Sequence, residues 1–174
     1  FDILTLANTT GCLALALLNT QGIPASCEGD TKALISMMVI KAVTGCSSFM
    51  ANPCFIDKNN DEMVFAHCTI PLDFIDSYSL VTHYESGIGV AISADLKPQT
   101  VTLFKCDENM NNYFIDTASL VKTTHEPNLC RTQMRLKLKK GSQNFLSNAI
   151  CNHQLIIPGD YEKELKAFME SFNN

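Results

Sequence analysis

The sequence predicts an α+β protein. An antiparallel, barrel-like β domain spans residues 55–174 and ends in a helix, and residues 1–54 form part of a parallel, Rossmann-like α/β domain. Three observations carry this reading. Up to Pro53, helical apolar patterns alternate with short apolar runs, the rhythm of parallel strands joined by crossover helices. Beyond Cys54, five or six runs alternate apolar and polar residues at period two, with polar turns between them. Such strands have one face to bury and one to solvate, and their regular spacing suits a small barrel or sandwich.

The chain opens on Phe1 rather than Met, inside a strand-like run, so a piece of a longer protein is expected. Thr9 and Thr10 are candidate caps for a helix over residues 11–20, which Gly22 closes. Residues 23–27 read as a short strand leading to Glu28. Asp30 or Thr31 can cap a helix over residues 32–43, stopped by Thr44-Gly45. Residues 47–52 form a strand with Pro53 as its stop.

Lys58-Asn59-Asn60-Asp61 is a polar turn between Phe55-Ile56 and a strand over residues 63–69. Further strands follow at 79–84, 87–94, 100–106, 113–122 and 132–139, with Leu96-Lys97-Pro98-Gln99 as a tight turn. Gly87 and Gly89 suit a glycine-relieved bulge at a strand start, or a polyol contact beside Glu85 and Ser86. A last strand over 154–157 meets Pro158-Gly159-Asp160, and Asp160 caps a closing helix over 161–172.

Composition bounds the function. A chain of 174 residues, 46% hydrophobic, can bury one core or one core and part of a second. The net charge of −5, with Arg131 and Arg135 the only arginines, argues against a nucleic-acid partner. The basic run over residues 131–140 reads an anion or is a solvated strand face. The longest apolar-leaning run, residues 33–43, is broken by Ser36 and Lys41 and is too short for a bilayer, so no membrane partner is expected. The eight cysteines include no CxxC pair, which suits reduced thiols in a cytoplasmic protein better than a disulfide scaffold.

Three distant stretches carry the chemistry: Cys27-Glu28-Gly29-Asp30, Phe65-Ala66-His67-Cys68 and Asn152-His153-Gln154. One carboxylate and two imidazoles are donors that suit a divalent first-row metal. Each also has a plainer reading: Glu28 as a helix cap in rivalry with Asp30, and each histidine as a satisfied core residue. His83 reads as structural or pocket-lining, and His125 as a loop histidine before Pro127.

In order and spacing these stretches, together with Phe49-Met50-Ala51-Asn52-Pro53, resemble the C-terminal part of the L-fucose/L-arabinose isomerase family. The resemblance is nearest its fucose-isomerase-like branch. It implies a parallel α/β region followed by an antiparallel barrel-like domain. It also implies a sugar substrate, aldose–ketose interconversion through an enediol, and Mn²⁺ or another divalent cation. On this sequence the implied metal positions are Glu28, Asn52, His67 and His153, with Glu28 and Asn52 at the catalytic ones. A site shared between subunits, in a homotrimer or homohexamer, is implied as well. Asn52 departs from the family, which has an acid there. Asparagine offers a carbonyl oxygen but cannot cycle a proton at neutral pH. That leaves two expectations: altered isomerase chemistry, or a non-catalytic carbohydrate-binding or regulatory relative.

Overall fold

The computed structural model describes residues 3–172. Six antiparallel strands close into a barrel in the order β1-β2-β7-β6-β5-β8. They are β1 (Phe49–Asp57), β2 (Glu62–His67), β5 (Thr100–Cys106), β6 (Tyr113–Thr124), β7 (Thr132–Leu138) and β8 (Gln154–Pro158). Two further strands, β3 (Ser77–Val81) and β4 (Ala91–Asp95), pair separately. The helices are α1 (Ile3–Ala7), α2 (Cys12–Thr20), α3 (Thr31–Thr44), α4 (Ser142–Asn148) and α5 (Glu162–Phe172). The α+β class and the antiparallel barrel therefore stand as the period-two pattern predicts. Among the described residues no helix is long and apolar enough to cross a membrane.

Strand alternation sorts the core into two layers. Phe49, Ala51, Met63, Phe65, Leu103, Leu120, Met134, Leu136 and Ile156 form one cluster. Met50, Phe104, Cys106, Leu155 and Ile157, on the alternate positions, pack against Ala33, Met37 and Ile40 of α3 and Leu165 and Met169 of α5. Phe145 of α4 meets Phe65 and Phe114 edge-on, with ring centroids 5.6 and 5.3 Å apart. Asp61, in the β1–β2 turn, starts α4 from a distance: its Oδ1 accepts from the Ser142 N–H at 2.9 Å. So α4 is anchored at one end of β2, and His67 lies at the other, roughly 20 Å along the strand.

Four local expectations are corrected. Residues 3–7, read as strand-like, are the short helix α1, while Phe1 lies outside the described residues. Residues 23–27 form an irregular link instead of a strand. Pro24 has no N–H to give a sheet, and the Asn19 side chain clamps both the N–H and the carbonyl of Ala25, at 3.0 and 2.8 Å. Pro53 does not stop its strand: β1 runs through it and bulges between Pro53 and Phe55. There β1 has only β2 beside it, because β8 pairs no further than Ala51, and a strand tolerates proline at such a bulge. Position 54 thus lies inside a barrel strand. The Gly87–Gly89 stretch is a turn before β4, closed by the Gly87 N–H to His83 O bond at 2.9 Å. A Cβ at Gly89 would sit 2.4 Å from Thr10 Oγ1, so the glycine permits close contact with the start of α2.

Asp30 caps α3 by accepting from the Ala33 N–H, and Gly45 ends it at φ 73°. The cap expected of Thr9 or Thr10 falls instead on Gly11, whose lack of a side chain leaves α2 without a side-chain cap. All eight cysteines are free thiols.

The edge-on Phe65–Phe145–Phe114 cluster ties α4 to the barrel. Phe65→Ala should cost about 3–5 kcal/mol of unfolding free energy, read as a lower urea midpoint at unchanged slope. A loss under about 1 kcal/mol would mean α4 does not fill the barrel as described.

Candidate functional site

The site forms at the barrel mouth where β2 ends, β8 begins and the α2–α3 loop crosses. Cys27-Glu28-Gly29-Asp30 makes a tight reverse turn, with the Asp30 N–H bonded to Cys27 O at 3.1 Å. Its two central residues have positive φ, 57° at Glu28 and 67° at Gly29, as a type I′ turn requires. Glutamate in that conformation costs about 1 kcal/mol, and the turn leaves the Glu28 side chain 58% exposed rather than capping the helix. Asp30 takes the capping role, which resolves their rivalry.

The Glu28 carboxylate faces two buried imidazoles, one per oxygen. His67 Nε2 lies 3.6 Å from Oε1, and His153 Nε2 lies 3.5 Å from Oε2. The rings meet edge-on at 5.5 Å. Each imidazole is anchored at its other nitrogen, His67 Nδ1 by Thr69 Oγ1 at 3.0 Å and His153 Nδ1 by Asp30 Oδ2 at 2.9 Å. The same Asp30 oxygen receives Lys105 Nζ at 3.2 Å, and Lys105 is fully buried. With Asp30 ionised, His153 must donate from Nδ1, so its neutral ring carries the lone pair on Nε2. That nitrogen is buried and has no hydrogen-bond partner.

The electrostatics follow from these contacts. His67, beside Oε1, holds the Glu28 carboxyl below the ordinary range, against burial and the nearby Asp30 charge. For Asp30 burial opposes ionisation. The Ala33 N–H, His153 and Lys105 outweigh it and hold that carboxyl low as well. Burial pulls the Lys105 ammonium down, and Asp30 opposes the shift. The Cys27 thiol is pushed up to about 11 by burial, then by Cys12 and Glu28.

Of the sequence-predicted residues, the fold brings Glu28, His67 and His153 together. Asn52, opposite Ala66 on β1, has a different partner: its Oδ1 accepts from Asn152 Nδ2 at 2.6 Å. Asn152 precedes His153, so Asn52 braces the mouth through that neighbour. His83 bonds Ser86 at 3.0 Å, and His125 pairs with Asp95 at 2.9 Å on the surface. Sequence reasoning missed Lys105, Thr69, Cys27 and the second role of Asp30. Lys105 had a signal: it falls in phase with Val101 and Leu103, a cation on an apolar face.

A cysteine Sγ (Cys27), a Glu28 carboxylate oxygen and a His67 ring nitrogen lie within 4.8 Å of one another. With the bare His153 Nε2 beside them and both histidines fixed at Nδ1, this donor set fits a divalent cation.

No protein-family model matches the chain. The chain is similar to the sulfoquinovose isomerase of Clostridium sp. (strain MSTE9), 24% identical over 179 residues that cover 97% of this chain and 40% of that protein. Sulfoquinovose isomerases of Priestia aryabhattai and Priestia megaterium (strain ATCC 12872 / QMB1551) are each 27% identical over 112 residues, covering 59% of this chain and 24% of theirs. The chain thus spans about two-fifths of the length of the Clostridium relative. These relatives are sugar isomerases by name, and the similarity supports a sugar-isomerase reading at low identity.

Lys105→Met removes the buried cation that pairs with Asp30, and the variant should lose about 3–5 kcal/mol of stability. Adding Asp30→Asn should cost less than the sum of the two single changes, because the pair acts as a unit. The acid limb gives a second readout. The folded values of Asp30 and Glu28 lie below the unfolded ones, so their stabilisation is complete above about pH 5 and is lost as pH falls through the folded values. Urea midpoints measured from pH 6 down to pH 2 should therefore decline less steeply in Asp30→Asn than in the parent. Equal acid limbs would refute the assignment.

Proposed function

We propose that this chain carries the catalytic mouth of an aldose–ketose isomerase, with a divalent cation such as Mn²⁺ held by Glu28, His67 and His153. The observation that carries this reading is one carboxylate facing two buried imidazole Nε2 atoms, supplied by three segments far apart in sequence. The similarity to isomerases of a sugar supports it independently.

The chain's own residues supply most of what the reaction needs. Glu28 is ionised and solvent-facing, so it can take the proton from C2 of an open-chain aldose and return it to C1 of the enediol. A bound divalent cation would polarise the sugar's carbonyl and hydroxyl oxygens and stabilise the negative charge that develops on them. His67 and His153 hold fixed orientations through Thr69 and Asp30, so neither has to reorganise as substrate arrives. Asn52 cannot cycle a proton, which leaves transfer from the C2 hydroxyl to the C1 oxygen to water. This difference favours the second reading, a carbohydrate-binding relative without turnover.

The intact protein is proposed to be a homo-oligomer. Leu17, Leu18, Ile23 and Met38 are exposed on the helical side and suit a covering surface, from a second copy or from further chain.

The test is conversion of sulfoquinovose, fucose and arabinose to ketose by the complete protein, with Mn²⁺ titrated by calorimetry. Glu28→Gln should lower turnover by about 10²–10⁴-fold. Asn52→Asp should raise turnover or metal affinity if the protein is a weakened isomerase. Sugar binding without turnover in either form supports the binding relative, and absence of both metal uptake and conversion removes the isomerase reading.

A further inference from the structure

We infer that Cys27 is a ligand of the same cation, making the centre a mixed sulfur, nitrogen and oxygen site for a softer ion of the zinc, cobalt or iron(II) class. The inference rests on the proposed metal centre and goes beyond it by naming an additional donor and the kind of ion it selects.

Two independent observations support it. The Cys27 thiol, the Glu28 carboxylate and a His67 ring nitrogen converge within 4.8 Å. Donors about 2.0–2.3 Å from a tetrahedral ion stand roughly 3.5 Å apart; Glu28 and His67 already stand 3.6 Å apart, and closure needs a shift of about 1 Å on the Cys27 side. Separately, His153 is 4% exposed, and its Nε2 lacks a hydrogen-bond partner and lies 3.5 Å from the same carboxylate. A buried acceptor left bare in this position points to a ligand between the groups.

The local fold holds the sulfur in place. The Cys27–Asp30 turn bond fixes Cys27 beside Glu28, and the Cys27 side chain packs on the α3–α5 apolar layer. Asn52 offers no charge, so without the thiol the centre has one anionic donor. A cation that bonds Sγ displaces the thiol proton to solvent, and the resulting thiolate supplies the second negative charge. Soft thiolate favours zinc-class ions, whereas all-oxygen sets suit Mg²⁺ and Mn²⁺.

The experiment is Co²⁺ binding to the complete protein, followed by near-ultraviolet absorption, since only a cobalt–thiolate bond gives an intense sulfur-to-cobalt charge-transfer band. The band should appear in the parent and persist in Cys151→Ser, the exposed thiol two residues before His153. It should vanish in Cys27→Ser, with Co²⁺ binding weakened beyond the roughly 10–100-fold that loss of an outer-shell partner costs. The ratio of Zn²⁺ to Mn²⁺ affinity should also fall in Cys27→Ser, which keeps only the harder donors. Co²⁺ uptake with no band, or a band that survives Cys27→Ser, overturns the inference and leaves the isomerase reading standing. No uptake of Co²⁺, Zn²⁺ or Mn²⁺ overturns both.

Discussion

The Asp30 carboxylate joins three parts of the molecule that would otherwise be free to drift. One oxygen caps α3 through the Ala33 N–H, and the other receives both Lys105 and His153. Lys105 is fully buried at the end of β5, and an unpaired ammonium there would cost several kcal/mol. The lysine therefore fixes where Asp30 must lie, Asp30 fixes the start of α3, and the turn before α3 presents Glu28. The same contact selects which nitrogen of His153 is bare. Helix position, barrel and site chemistry thus share one buried ion pair.

Closure of the barrel brings the distant residues of the mouth together. The Asp30–His153 bond joins residues 123 positions apart, and only the insertion of β8 between β1 and β5 makes that contact. Because β8 registers Leu155 against both Met50 and Phe104, His153 cannot slide without moving a whole buried row. Rigidity at His153 is a consequence of sheet register. Glu28 stands on its turn, 58% exposed, and meets both imidazoles from the solvent side. A fixed pair of imidazoles facing an exposed carboxylate suits the proton-transferring role proposed for Glu28.

Much of the barrel was legible because period-two alternation survives wherever a strand has one buried face. Strand β5 was read with its full bounds, and β7 to within one residue. What stayed illegible depends on tertiary partners. The Asn19 clamp that replaces a strand at Ala25 and the Asp61 contact that starts α4 both span loops, and no local pattern records them. Proline at position 53 reads as a stop unless one knows that β8 ends its pairing at Ala51. In the site, Glu28, His67 and His153 stood out by their order along the chain. Asp30 was hidden because a capping aspartate and an ion-paired one look alike in sequence.

Charge balance frames what the mouth can hold. Lys105 neutralises Asp30, so Asp30 orients His153 without adding to the field that a cation would feel. Glu28 then contributes the one uncompensated anionic donor, since Asn52 is neutral and its oxygen already accepts from Asn152. A divalent ion held by one carboxylate and two neutral imidazoles keeps a net positive charge, which strengthens its pull on substrate oxygens but weakens its hold. A thiolate from Cys27, as proposed, would restore a second negative charge at the cost of a softer, more covalent bond. On that proposal the neutral asparagine at position 52 removes a hard charge and the cysteine at position 27 supplies a soft one.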